Sequence, residues 1–275
     1  MNGKTIVITG ATSGIGQIAA ERLAQKGARI VQIARNIPRG EAALTRLNAI
    51  NNAGHTVHYA DLSRLFEMKR IAAEVASKEP RIDVLINNAG AMFNSRQVTE
   101  DGLELTFATN HAAYFVLTLG LLKCLQKGAR VVSTASDAHR GAKLDFSDLQ
   151  CEKGYSGFGA YRKSKLANIL FTRELARRAT GITANSLHPG FVSTRFGDES
   201  GGLLAMLFRV AKLGAITPEK GAETIIYLAS SPEVISTTGE YFYKCKPSTP
   251  TEEAQDDAAA KRLWDETERL TGVRI

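Results

Sequence analysis

Tyr161 and Lys165 stand four positions apart in a run from Gly159 to Ala179 with helical apolar spacing, so their side chains leave the same helix face. A phenol titrates near about 10, and an adjoining ammonium favours its ionised form, bringing it toward a range useful for proton exchange with a substrate. The spacing predicts an acid–base tyrosine tuned downward by Lys165. Many amphipathic helices present Tyr-x-x-x-Lys without using it, so the surrounding residues decide.

One such neighbour is the turn Thr9-Gly10-Ala11-Thr12-Ser13-Gly14-Ile15-Gly16, placed between an apolar run and a helical one. Small residues let the main chain approach a pyrophosphate while helix N–H groups face the anion, so Gly10, Ser13, Gly14, Ile15 and Gly16 are candidates to hold a dinucleotide. The spacing is GxxxGxG rather than GxGxxG, and a bare tight turn could share it; its place right after the first strand favours binding. About 20 residues further on, an NAD site places an acid on the ribose 2'-hydroxyl. Here the second strand ends Ile33-Ala34-Arg35-Asn36. An arginine can hold a 2'-phosphate that an acid would repel, so Arg35 and Asn36 favour NADP(H) over NAD(H). Asn87-Asn88-Ala89-Gly90 ends the fourth strand, where a turn lines the ligand crevice and the backbone atoms of Asn88, Ala89 and Gly90 can pack against adenine and ribose.

These residues need a scaffold. Apolar β-branched runs at Thr5–Thr9, Ala28–Ala34, His55–Ala60, Ile82–Ile86, Arg130–Thr134 and Ile182–Leu187 alternate with helix-length segments, with a further short strand near Glu240–Tyr243 and a terminal helix from Glu252 to Leu270. Alternation of this kind predicts an α/β fold: a doubly wound, Rossmann-type parallel sheet with helices on both faces. No polar linker or repeat divides the chain, so residues 1–275 are expected to form a single domain, with substrate-binding parts at about 191–215 and 244–272.

Taken together, the glycine turn, Asn87-Asn88-Ala89-Gly90, Asn110, Ser136, Tyr161-Arg162-Lys163-Ser164-Lys165 and Pro189-Gly190 resemble the short-chain dehydrogenase/reductase family over nearly the whole chain. The resemblance implies that Tyr161 is the general acid in carbonyl reduction and the general base in alcohol oxidation, and that Lys165 lowers its pKa and binds nicotinamide ribose. Ser136 would sit on the substrate oxygen as it accepts hydride. Ser133 competes for that role; Ser136 is preferred because it lies just past the strand, at the crevice mouth. Asn110 would help hold a water linking Lys165 to solvent. Asp61 and Leu62 would contact adenine. Pro189, Gly190 and Val192 would fold under the nicotinamide, and Thr194 would reach its carboxamide.

Ser136 and Tyr161 are 25 positions apart, which implies a long intervening loop. That loop, Leu166 to Phe171 and the segment from Cys245 to Leu270 resemble the retinol dehydrogenase-like branch, whose members act on retinoids, lipid aldehydes and some steroids. Gly201 to Phe208 reads either as an apolar substrate lid or as core or dimer contact. Leu117, Leu121, Leu122 and Leu125 read as helix core or oligomer interface.

Composition excludes other classes. With 44% hydrophobic and 23% charged residues the chain can bury a core, and its net charge of +7 is dispersed rather than blocked, which argues against nucleic acid. Met1-Asn2-Gly3-Lys4 leads straight into an apolar run, and no stretch is expected to approach the roughly 18 apolar residues of a membrane helix. The expectation is a cytoplasmic protein with no membrane span. Cys124, Cys151 and Cys245 are widely spaced and read as reduced thiols; the five histidines make no ligand set, so no metal is expected. The function read from the sequence is therefore an NADP(H)-dependent oxidoreductase acting on a small-molecule carbonyl or alcohol, with a homodimer implied by the resemblance. A nucleotide-sensing binding protein would use the same crevice; the full set Asn110, Ser136, Tyr161 and Lys165 favours catalysis.

Overall fold

The computed structural model describes residues 1–192 and 216–274. Its strands are β1 (Thr5–Thr9), β2 (Arg29–Ala34), β3 (Thr56–Tyr59), β4 (Ile82–Asn87), β5 (Leu125–Thr134), β6 (Thr183–Leu187), β7 (Tyr241–Tyr243) and β8 (Lys246–Pro247). Its longer helices are α1 (Gly14–Gln25), α2 (Ile37–Ile50) and α3 (Leu65–Lys78), then α4 (Leu105–Phe107) and α5 (Ala113–Leu121) joined by a π-turn, and α6 (Gly157–Arg178), α7 (Pro218–Ser230) and α8 (Asp257–Thr271). Among the described residues the strands form one sheet in the order β3-β2-β1-β4-β5-β6-β7-β8, parallel except for the final antiparallel pair.

Alternation along the strands makes two cores. Ile6 and Ile8 of β1 turn to the face covered by α1, α2 and α7, where they join Leu23, Leu47 and Ile225. Val7 turns to the opposite face, with Ile71 of α3, Phe115 of α5, Phe171 of α6 and Trp264 of α8. Strands buried on both sides can be apolar without interruption, as Val84-Leu85-Ile86 is. This is the doubly wound α/β arrangement read from the sequence. The strand order reverses between β1 and β4, which pair from Ile6↔Val84 to Ile8↔Ile86, so their carboxyl ends flank the crevice where such sheets bind ligands.

Three expectations are corrected. Leu105–Cys124 is long and apolar enough to cross a membrane by length and composition, contrary to the sequence reading. Here it is mostly buried, packed among α3, α6 and α8, because this fold wraps one of its helices in protein on nearly every side. Strand β5 begins at Leu125 rather than Arg130: Gly128, at φ +84°, lets the polar Gln126-Lys127-Gly128 join it through a register shift opposite Ile82 and Val84. Leu125 thus belongs to a strand, while Leu117 and Leu121 are core. The terminal helix is split, a single 3-10 turn at Glu252–Ala254 followed by α8, because the Asp256 side chain caps α8 by accepting from the Ala258 and Ala259 amides.

Candidate active site

The carboxyl ends of β1, β4, β5 and β6 carry the site. At β1 the glycine turn is shaped by close approach. Gly10 holds φ +70°, and a Cβ on Gly16 would overlap the Gly10 carbonyl and Asn88 Nδ2. Ser13 precedes α1 as its N-cap, exposed and with no side-chain cap bond, so the first helical N–H groups face outward uncapped. That is the arrangement an anion needs. Gly14 holds φ +57°. Ile15 converges with Val192 on Gly221 of α7, where an added Cβ would meet both side chains. At the end of β2, Arg35 is exposed and makes no hydrogen bond or ion pair among the described residues.

Several candidates are committed elsewhere. Asn36 is the N-cap of α2, its Oδ1 accepting from the Arg39 amide at 3.0 Å. Its Oδ1 is therefore spent on capping the helix. Asn88 Nδ2 donates to the Thr9 and Gly10 carbonyls at 3.2 and 3.3 Å, while its Oδ1 accepts from Thr134 Oγ1 at 3.4 Å. The Asn88 and Ala89 amides both donate to Thr9 Oγ1, at 2.9 and 3.0 Å. These bonds brace the glycine turn against β5 and fix the course of the main chain at the crevice. Asp61 Oδ1 accepts from the Ser63 amide and hydroxyl, and Leu62 is buried. Gly190 holds φ +87° after β6, beside half-buried Pro189, and its amide donates to His188 Nδ1 at 3.2 Å. Thr194, and most of the 191–215 region including Gly201 to Phe208, lies outside the described residues.

Helix α6 places Tyr161 and Lys165 on one face, with Lys165 Nζ 5.5 Å from the Tyr161 ring centroid and 6.0 Å from that of Tyr114. Lys165 is buried and Nζ donates to the Thr134 carbonyl at 3.1 Å. The Ser136 hydroxyl lies close enough to the Tyr161 hydroxyl to favour its ionised form. Ser136 Oγ also accepts from the Ala138 amide at 3.2 Å, leaving its own proton free to point away from that backbone. Ser133, the competing serine, is wholly buried within β5 and its hydroxyl meets no partner among the described residues, so only Ser136 reaches Tyr161. Gly90 closes the floor: a Cβ there would lie 3.3 Å from Asn110 Oδ1 and 3.4 Å from Lys165 Nζ.

Two expectations change. Burial pushes the Tyr161 phenol up to about 12, with the Ser136 hydrogen bond pulling the other way, and pushes the Lys165 ammonium down to about 7. The predicted downward tuning is not seen here because the same enclosure strips water from both groups and disfavours the charged form of each, phenolate and ammonium alike. Asn110 lies in a π-turn, Ala108–Ala112, completely buried, and its side chain is spent on the Ala91 main chain and the Ser164 hydroxyl. It is a brace between the β4 turn and α6, not a side chain free to hold water. Thr134 and Ser164 hold Lys165 and Asn110 here; the sequence displayed Thr134 only as a strand end and Ser164 only as part of the Tyr161–Lys165 motif.

Four similarities place the chain. A model of the short chain dehydrogenase family matches residues 4–201. Retinol dehydrogenase 14 of Homo sapiens is 40% identical over 294 residues, covering 99% of this chain and 88% of that protein. Among solved structures, an uncharacterized protein from Mycobacterium paratuberculosis superposes with a TM-score of 0.80 at 34% identity, over 99% of this chain and 95% of that one. A short chain dehydrogenase from Burkholderia cenocepacia J2315 in complex with NADP does so with a TM-score of 0.72 at 26% identity, over 93% and 99%. The chain belongs to the short-chain dehydrogenase family, in its retinol dehydrogenase-like branch. It is thus an oxidoreductase of a family that works with a nicotinamide cofactor.

Proposed function

We propose that the protein is an NADP(H)-dependent oxidoreductase interconverting a lipophilic carbonyl compound, of aldehyde, retinoid, steroid or quinone type, and its alcohol. The observation that carries the reading is the convergence of the Tyr161 and Ser136 hydroxyls with a buried Lys165, beside a glycine turn whose helix end is uncapped. The residues fit a dinucleotide: Gly16 and Gly90 sit where any side chain would fill the cradle, and Arg35 is free to take a 2'-phosphate. The NADP complex of the Burkholderia relative and the name of the human one support the cofactor and substrate class.

When bound, the nicotinamide supplies the hydride. Ser136 donates a hydrogen bond to the substrate oxygen and stabilises the charge that gathers there. Tyr161, held protonated by its burial, gives its proton to that oxygen in reduction and takes it back in oxidation. Lys165, fixed by the Thr134 carbonyl, lies close enough to favour the phenolate that forms after transfer. Phe191, exposed just after Gly190, offers apolar surface beside the site. The test is NADPH consumption against retinal, medium-chain aldehydes, steroid ketones and quinones, with Tyr161→Phe alongside. Tyr161→Phe is expected to bind NADPH nearly as tightly as the parent while losing about 100-fold or more in turnover. Retained turnover defeats the role of Tyr161, and no turnover of any probe by the parent protein defeats the reading as an enzyme of this substrate class.

A further inference from the structure

Ser136 begins a tight 3-10 turn, Asp137–His139, at the mouth of the crevice, and its hydroxyl can meet Tyr161 only if its main chain is held. Both nitrogen donors on one residue hold it: the His139 amide donates to the Ser136 carbonyl at 3.1 Å, and His139 Nδ1 lies 2.7 Å from the same oxygen. A carbonyl only accepts, so Nδ1 carries the proton. The other ring nitrogen, Nε2, then has a lone pair, and the Thr251 amide donates to it at 3.3 Å. Only the first bond uses a ring proton, the second being donated by the Thr251 amide, so together they specify a neutral ring and a single tautomer. The ring is completely buried, with the Tyr241 ring standing edge-on 5.2 Å away. Burial holds the His139 pKa down against the opposing bond to the Ser136 main chain; Arg140 acts with burial, and Asp137 and Glu253 oppose it. His188 lies across Tyr241, stacked on its ring and on that of Tyr243, and is also held down by burial. Thr251 belongs to the segment that leaves β8 for α8, and Arg140 adds a second tie there by donating to the Thr249 carbonyl at 3.3 Å.

We propose that His139 is a positioning residue for the reaction, clamping the Ser136 main chain through Nδ1 and fastening it through Nε2 to the C-terminal segment. It sets the direction in which the Ser136 hydroxyl meets Tyr161 and the substrate oxygen. The inference rests on the reading of Ser136 and Tyr161 as the reacting pair.

The first test needs no substrate. In protein labelled with 15N-histidine, with His139→Asn for assignment, His139 should appear as the neutral Nδ1–H tautomer throughout the neutral pH range. The Nε2–H tautomer or a protonated ring overturns the proposal. The second test reads turnover of all-trans-retinal and nonanal with NADPH. An asparagine amide can replace Nδ1 and a glutamine amide can replace Nε2. His139→Asn should therefore keep kcat within about 5-fold, whereas His139→Gln and His139→Phe lose about 10- to 100-fold with KM and NADPH affinity little changed. In a Ser136→Ala background, His139→Phe should change kcat by less than about 2-fold. Equal losses for the Asn and Gln variants, or a full further loss on top of Ser136→Ala, make His139 a purely structural residue and overturn the proposal. Unchanged turnover in Ser136→Ala itself, or no turnover of either probe, instead defeats the reaction reading, while the tautomer measurement still judges the clamp. If His139→Phe does not fold, the Asn and Gln pair decides.

Discussion

Asn110 and Ala91 bind each other twice: Asn110 Oδ1 accepts from the Ala91 amide, and Asn110 Nδ2 donates to the Ala91 carbonyl, both at 2.8 Å. Nδ2 also donates to the Ser164 hydroxyl at 2.9 Å, so one buried amide joins the turn after β4 to the helix that bears Lys165. Asn110→Leu would leave the Ala91 groups without partners and should destabilise the fold by about 2 to 4 kcal/mol. Asn110→Asp keeps the acceptor but sets a carboxylate oxygen against the Ala91 carbonyl that Nδ2 serves, so it should cost at least as much. Chemical denaturation of the two variants checks this order, and an unshifted midpoint for Asn110→Leu contradicts the brace.

At Gly16 there is no room for a methyl group, since it would press on the Gly10 carbonyl and on Asn88 Nδ2. Gly16→Ala should cost about 1 to 3 kcal/mol of stability by overpacking and weaken dinucleotide binding about tenfold or more. Gly154→Ala is the control, because a Cβ there meets nothing within 4 Å. Thermal melts and NADPH titration should separate the two variants.

Arg35 stands exposed at the end of β2, beside the β1 turn. Replacing it by Asp puts repulsion where a 2'-phosphate would lie and leaves a 2'-hydroxyl acceptable. NADPH affinity should fall about tenfold or more, with NADH affinity much less affected. Equal weakening of both cofactors in fluorescence titrations argues that Arg35 is only a surface charge.

Lys165 links function to stability with a definite sign. Its folded pKa is held down to about 7 from the ordinary 10.5, so between those values the unfolded chain binds more protons than the folded one. This group therefore makes the protein more stable as pH rises from about 7 toward 10.5, and its cost is greatest and constant below about 7. Lys165→Met removes a penalty on the order of a few kcal/mol near neutral pH. The variant should melt at a higher temperature at neutral pH, show a flatter rise of stability with alkali, and lose turnover. A lower melting temperature would show that the bond to the Thr134 carbonyl outweighs the burial cost.

How much of this could be read beforehand depends on the range of the interactions. The strands, the switch between β1 and β4, and the Tyr161–Lys165 face follow from local periodicity, which a single sequence displays. Ser136 could be preferred over Ser133 because two residues past the strand end already take a side chain from the enclosed sheet to the half-buried crevice mouth. The roles of Asn88 and Asn110 could not be read, since their side chains are claimed by Thr9, Gly10, Ala91 and Ser164, partners distant along the chain. Proton affinities were also beyond reach: spacing shows that a phenol and an amine are neighbours, but only packing shows that both are dry. The π-turn at Ala108–Ala112 and the β5 irregularity left no periodic trace.

The brief β8 has a consequence for life in a crowded solution. Its two residues, Lys246 and Pro247, are both exposed, and they complete the run of strands beyond β7. A proline lacks the N–H a docking strand would seek, and a lysine must keep its charge hydrated. This margin is therefore a poor template for stray chains, and copies of the protein are discouraged from stacking rim to rim into fibres there.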